Sequence, residues 1–535
     1  MQKNIILTAQ MLGFFRAKDP EQQNLIFEEM LELAEFQDHQ ATVSAVLEGE
    51  LLRRHVQYQN RAAKTVDRII ANAAKPLTAG ALSATDHINH MPPGKYVLTT
   101  AQNNTDVCPV FFESLRNYCV SNNATLLVAK TTYNLNGFQE TPEGVYYDPL
   151  IVPYLVEGQI NLGGTIEFCS QANVLPTAKN PLASFEGITG VGVSVIIPAT
   201  KIALKCTAAL KGGKAKELYS TGAITRRNYI MRKAGAVAAT EHNIGALFVD
   251  TTGANYVARH LELMAGSDGF FDENVYYTAD SCTYGVSPEV MHFGDIHAEK
   301  MEEKNLNKML ELLERYQPKH VLLHDVMDFS SRNHHNIKDC AFMFNQSMLS
   351  RTIRQDIVHV GRVIKSLAEY GGIVHIVESN HDLAINTYLK NQDFKEDPVN
   401  AVLYLDCMLA LYKHVEEEGN TDFNMLEYVF DKYSTSVYRG NILFHSMDES
   451  LVLAGVECGC HGHVGSNGAR GGPAQFRALG IPINTGHTHT PSIMGGCYTA
   501  GVTGSLEMGY NVGASSWRLA NVVIWPNGQR QVLFM

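Results

Sequence analysis

VMHFGDIH (290–297), HVLLHDVMD (320–328) and GIVHIVESNHD (372–382) share one build, an apolar run of strand length that stops on Asp, His or Asn. Such short runs bounded by polar or glycine residues read as buried strands. The first delivers Asp295 and His297, the second Asp325 and Asp328, the third Asn380, His381 and Asp382. Two later stretches continue the series: LVLAGVECGCHGH (451–463) carries His461 and His463, and PINTGHTH (482–489) carries His487 and His489. Residues two apart on an extended chain point to one side, so the last two imidazoles can face one pocket. Strands that present polar groups at their carboxyl ends describe the ligand-binding edge of an open α/β sheet. Singly, each cluster has a bland explanation as a helix cap, a turn or surface decoration. The ordered set does not.

The rest of the chain agrees with an α/β enzyme. Its 535 residues are enough for about three units. A hydrophobic fraction of 45% with 18% charged residues excludes a disordered or fibrous protein. No apolar run reaches the ~18 residues of a membrane span, and MQKNIILTAQ lacks the features of a signal peptide, so a cytoplasmic protein without a membrane partner is expected. Ten scattered cysteines fit reduced thiols. Net charge is -12, which excludes a uniform nucleic-acid coat. Between Lys201 and Lys233, however, nine Lys or Arg face the single acid Glu217, a balance of +8. That segment is a candidate anion-binding surface or, equally, a solvated face balanced by acids elsewhere.

Three regions are expected. Residues 1–85 read as helical, from LIFEEMLELAEF and LLRRHVQYQNRAAKTVDRIIANAA, either as a helical cap or as a DNA-reading helix-turn-helix. Residues 86–285 read as an α/β accessory domain, with nucleic-acid binding as its candidate role. KYVLTT, PVFFESLRNYCVSNN and ATLLVAKTTY form a strand-helix-strand unit there, and VGVSVIIPA and IGALFVD add strands. Residues 286–535 form the catalytic domain, and 15 of the 21 histidines lie from His292 onward, which points to metal. The terminal ANVVIWPNGQRQVLFM reads as a hairpin that completes the second sheet of that domain or lies at a subunit interface.

The order D-x-H, D-x-x-D, N-H-D, H-G-H, G-H-x-H resembles the calcineurin-like metallophosphoesterase superfamily over about the last 250 residues. The resemblance implies a sandwich of two sheets flanked by helices, with a site for two divalent metals. Carried over by motif, Asp295, His297, Asp325 and His489 hold the first metal. Asp325 bridges to a second completed by Asn380, His461 and His487. A hydroxide shared by the metals attacks phosphorus, His381 assists the leaving group, and Asp382 orients His381. Carboxylate, imidazole and amide together suit manganese, the first choice by analogy with nucleases of the family, with magnesium, iron, zinc or nickel as alternatives. The chain departs from the family pattern in having His324 and Ser379 where glycine is usual, and in the 55 positions between Asp325 and Asn380.

The fourth motif admits His445, in GNILFHSM, as well as His461 or His463, and His461 has the family's form. Cys458 and Cys460 offer a weak zinc alternative. Arg470 in VGSNGARGG, with His463, His334 and His335, are candidate contacts for substrate phosphate. The preferred substrate is DNA, because the extra domains and the cationic segment suit a polymer. Within the family the chain looks most like the nuclease subunit of SbcCD-type complexes. DFSSRNHHN and CHGHVGSNGARG also resemble large phage-encoded members, for which the host cytoplasm is the workplace. A nucleotidase or other small-molecule phosphatase is the alternative, and a non-catalytic nucleic-acid-binding protein with structural metals the second. A homo-oligomer is expected.

Overall fold

The computed structural model describes residues 90–535, apart from 134–144, 334–338, 435–439 and positions 349, 350, 371, 448 and 510. The helical reading of residues 1–85 lies outside the described residues, as do His334 and His335. Residues Ala84–Met535 form one compact unit, a mixed α/β fold with nine α-helices among the described residues.

Its centre is a six-stranded sheet. Val290–His292, His320–His324, Ile373–Val377 and Ile442–His445 run parallel in that order. The terminal hairpin, Ala520–Ile524 and Arg530–Phe534, adds two antiparallel strands beside Val290–His292. The hairpin therefore extends the sheet that carries the first three motifs, not the second sheet as expected. Its Val522 and Val523 register against His292 and Met291, which fixes the choice.

Side chains alternate across this sheet as the strand period demands. On one face Met291, Phe293, Val321, Leu323, Val374 and Ile376 pack with the helices Glu303–Tyr316, Ile353–Ala368 and Met425–Tyr433. The Ile353–Ala368 helix starts on a capping box, in which the Thr352 hydroxyl accepts from Gln355 N–H and the Gln355 amide oxygen from Thr352 N–H. On the other face Val290, Leu322, Val377 and Ile524 meet Val456 of a ten-stranded sheet and Cys458 just beyond that strand. Two apolar sheet faces thus close on each other.

The ten-stranded sheet spans the expected boundary at residue 285. Half of its strands, including Ile202–Cys206 and Glu217–Thr221, precede that position, and the other half, from Val452–Leu453 to Cys497–Thr499, follow it. The halves join where Ser492–Met494 pairs with Ile202–Cys206, Ile493 opposite Leu204. The expected strand-helix-strand unit is present as Lys95–Gln102, Pro109–Asn122 and Thr125–Thr131, with the strands parallel. It belongs to a separate five-stranded sheet whose inner face shares a core with the other two.

Candidate metal centre

Backbone bonds tie the first motif loop to the second and the fourth motif to the fifth. His297 N–H donates to Asp325 C=O at 2.8 Å, Asp295 N–H to Gly501 C=O at 3.1 Å, and Gly486 N–H to His461 C=O at 2.7 Å. Gly486 has no room for a side chain, since a Cβ there would lie 2.2 Å from Asp295 Oδ1. His297, Asp325, His487 and His489 all sit at positive φ, between 44° and 68°. Side chains held in this left-handed region cost about 1–3 kcal/mol each and cluster at functional sites. His324 and Ser379 are not among the residues at positive φ, so their positions need no glycine. The left-handed turn falls on Asp325 itself.

Asp295, His297, Asp325 and His489 converge, with one donor atom from each lying within 4.8 Å of the others. His489 Nε2 is 3.0 Å from Asp295 Oδ2 and 3.1 Å from His297 Nε2, and His297 Nε2 is 3.6 Å from Asp325 Oδ2. All four side chains are buried. Asp295 Oδ1 and Asp325 Oδ2 have no hydrogen-bond partner. Buried carboxylate oxygens left unpaired beside imidazole nitrogens are expensive unless a cation supplies the missing charge. This set can hold a metal ion.

A second group adjoins it. His461 Nε2 lies 3.3 Å from Asp325 Oδ2 and 3.1 Å from Asn380 Oδ1. The ring of His487 is 5.2 Å from that of His461, and His463 is 5.4 Å away on the same side. Burial pushes the Asp325 carboxyl up, but the imidazoles of His461, His381 and His297 outweigh it and hold the group well below the usual carboxylate range. Burial, reinforced by His461, lowers His463 and His487 to about 4, so both are neutral, the form that ligates.

His381 is positioned by Asp328, a residue of the second motif to which the sequence reading gave no role. Its Nδ1 lies 3.2 Å from Asp328 Oδ1, the same oxygen that stands 3.3 Å from His297 Nδ1. Asp328 in turn is fixed by Lys300 Nζ at 2.9 Å and the Ser330 hydroxyl at 2.8 Å. Asp382, expected to orient His381, instead accepts from Met327 N–H at 3.0 Å and the Ser379 hydroxyl at 2.8 Å, bracing the loop that holds both. The signal for Asp328 was its place three residues after Asp325. Burial lowers His381, yet Asp325, Asp328 and Asp382 more than reverse this and raise it to about 9.

Of the alternatives for the fourth motif, His461 lies against Asp325 with His463 beside it. His445 is committed elsewhere: its Nε2 meets His375 Nδ1 at 2.9 Å and its Nδ1 meets Glu449 Oε1 at 2.9 Å, while His375 Nε2 meets His320 Nδ1 at 3.0 Å. Cys458 is core, its thiol pushed up to about 12 by burial, which does not favour a thiolate ligand. Arg470 is exposed on a loop pinned to the cluster by Gly471 N–H donating to His463 C=O at 3.0 Å.

The cationic segment is partly neutralised. Lys201 pairs with Glu241 at 2.5 Å and Lys211 with Glu507 at 2.8 Å, Lys205 pairs with Glu186, and buried Lys216 is bonded to Thr189. Arg226, Arg227, Arg232 and Lys233 remain exposed. No helix among the described residues is long and apolar enough to cross a membrane.

No family model matches the chain. It is 41% identical over 491 residues, 88% of its length and 87% of the relative's, to Protein A1 of Escherichia phage T5. The chain belongs to the family of that phage protein.

Proposed function

We propose that the protein is a metal-dependent phosphodiesterase of the calcineurin-like metallophosphoesterase kind, and that its substrate is DNA. The observation that carries this reading is the meeting of Asp295, His297, Asp325 and His489 around unpaired carboxylate oxygens, with His461 against Asp325 and Asn380 against His461. Asp295, His297, Asp325 and His489 would hold one divalent ion, and Asp325, Asn380, His461 and His487 a second, with manganese the first choice. Bound there, such ions supply positive charge to the phosphate oxygens and a water of lowered pKa.

The chain's own groups do the rest. Asp328 holds the His381 ring, and Asp325, Asp328 and Asp382 raise that imidazole in the metal-free protein. His381 is therefore the proton donor to the departing oxygen. Trp517 meets His489 edge to face, with ring centroids 4.1 Å apart, and restricts its rotation. Arg470 and the exposed Arg226, Arg227, Arg232 and Lys233 are cationic groups of the kind that contacts a polyanion. The phage relative fits a protein at work in the cytoplasm of an infected cell.

The runner-up is a nucleotidase. Neutralisation of Lys201, Lys205 and Lys211 by acids favours it, since a mononucleotide needs no extended positive surface. Purified protein incubated with end-labelled DNA, with RNA and with mononucleotides, in manganese, magnesium or chelator, separates the two. DNA fragments in manganese and none in chelator are expected. Inorganic phosphate from mononucleotides with DNA left intact would overturn the nuclease reading.

A further inference from the structure

The first three turns of the helix Ala401–Glu418 are apolar apart from Asp406, although only one side of them is covered. Its inner side is firmly placed. Leu403 and Cys407 are buried, Tyr404, Met408 and Leu411 pack on the main core, and Asp406 is bound by Lys432, Tyr428 and Tyr433. Its outer side carries Val402 at 80% exposure, Leu405 at 49%, Leu409 at 55% and Tyr412 at 66%. Spacings of three, four and three residues put these four on one stripe, the seam of a helix that pairs with another. Apolar stripes of this kind on a rigid element mark interaction sites.

We propose that this stripe is a two-fold interface with a second copy of the same chain, the two helices running antiparallel. Three observations select that occupant. A two-fold axis passing at Cys407 sets Val402 against Tyr412 and Leu405 against Leu409, so each exposed residue has an exposed apolar counterpart. The match continues outward, since the same axis sets Val399, 66% exposed ahead of the helix, against half-buried Val415. A self-complementary patch is what an isologous dimer requires. The third observation is charge. The helix ends on Glu416, Glu417 and Glu418 with no basic residue in its last turn, which is unfavourable for its own dipole. In the antiparallel pair those acids lie by the positive amino-terminal end of the other helix, whose first turn carries no acid of its own.

The inference is independent of the proposed chemistry and is tested by mass. Sedimentation velocity on the full-length protein is expected to give a dimer or an even multiple of it. Leu405→Glu with Leu409→Glu is expected to halve that mass while far-UV circular dichroism stays unchanged. Geometry is tested separately with Leu405→Cys and Leu409→Cys together, in a background carrying Cys340→Ser. Oxidation should join two chains on a non-reducing gel, whereas Val120→Cys, also on an exposed helix face, should not. A monomeric wild-type protein, a mass unchanged by the glutamates in a folded variant, or failure of the paired cysteines to cross-link would each overturn the interface.

Discussion

Two sets of three histidines lie on or beside the six-stranded sheet, and they behave in opposite ways. His320, His375 and His445 form a row across three neighbouring strands, each gap closed by one nitrogen-to-nitrogen contact of 2.9–3.0 Å and the end closed by Glu449. One proton per gap satisfies the row. His297, His461 and His489 crowd instead on two carboxylates, and Asp295 Oδ1, Asp325 Oδ2, His461 Nδ1 and His489 Nδ1 are left without partners. The residue type is the same, and of the six all but His320 are buried. What marks the candidate centre is an excess of acceptors over protons, which the row does not have.

The largest test of this contrast is Asp325→Asn. It removes the carboxylate on which both groups of ligands converge, so bound metal, counted by plasma mass spectrometry, and any hydrolysis should fall by more than the roughly 10–100-fold typical of an outer-sphere partner. Retention of both in a folded variant would refute the ligand assignment. Next comes the pair His461→Ala and His445→Ala. Metal content should drop only in the first, and equal losses would erase the distinction between the two sets.

Asp328→Asn keeps every proposed ligand but frees two imidazoles, for an expected loss of about 10–100-fold in metal affinity. It also carries a pH signature in the metal-free protein. His381 is raised from an ordinary value of 6.5 to about 9, so its contribution to stability is complete below 6.5 and lost as pH rises through 9. With Asp328 neutralised, the His381 resonance in proton NMR should titrate lower and the fall in stability over that window should shrink. The smallest effect belongs to the row. His375→Phe breaks both of its contacts and should cost about 1–3 kcal/mol in denaturant unfolding, with metal content untouched.

The parts of the fold legible in the sequence are those set by local period. Apolar runs at 290–293, 320–323 and 373–377 announce strands, and the polar residues that end them announce an edge, so the proposed ligands could be named before their distances were known. Asp328 was visible only as a spacing, because its role depends on a ring brought from position 381. The sheet that crosses residue 285 and the placement of the terminal hairpin were hidden for a related reason. A strand's own residues say that it pairs but not with which partner, and here the partners are distant. Burial of the cationic segment's Lys201 and Lys216 was likewise invisible, since the groups that receive them, Glu241 and Thr189, lie outside that stretch.

The joint between Ile493 and Leu204 has a consequence for how the protein comes into being. On the ribosome Leu204 emerges about 290 residues ahead of the strand that will lie beside it, and synthesis runs at about 5–20 residues per second. For that interval the edge of Ile202–Cys206 is open, and the turn bearing His487 and His489, which leads into Ser492–Met494, does not yet exist. A nascent or truncated chain that stops short of His489 therefore cannot complete the candidate metal centre. Whatever chemistry the centre performs is withheld until translation has passed the last histidine.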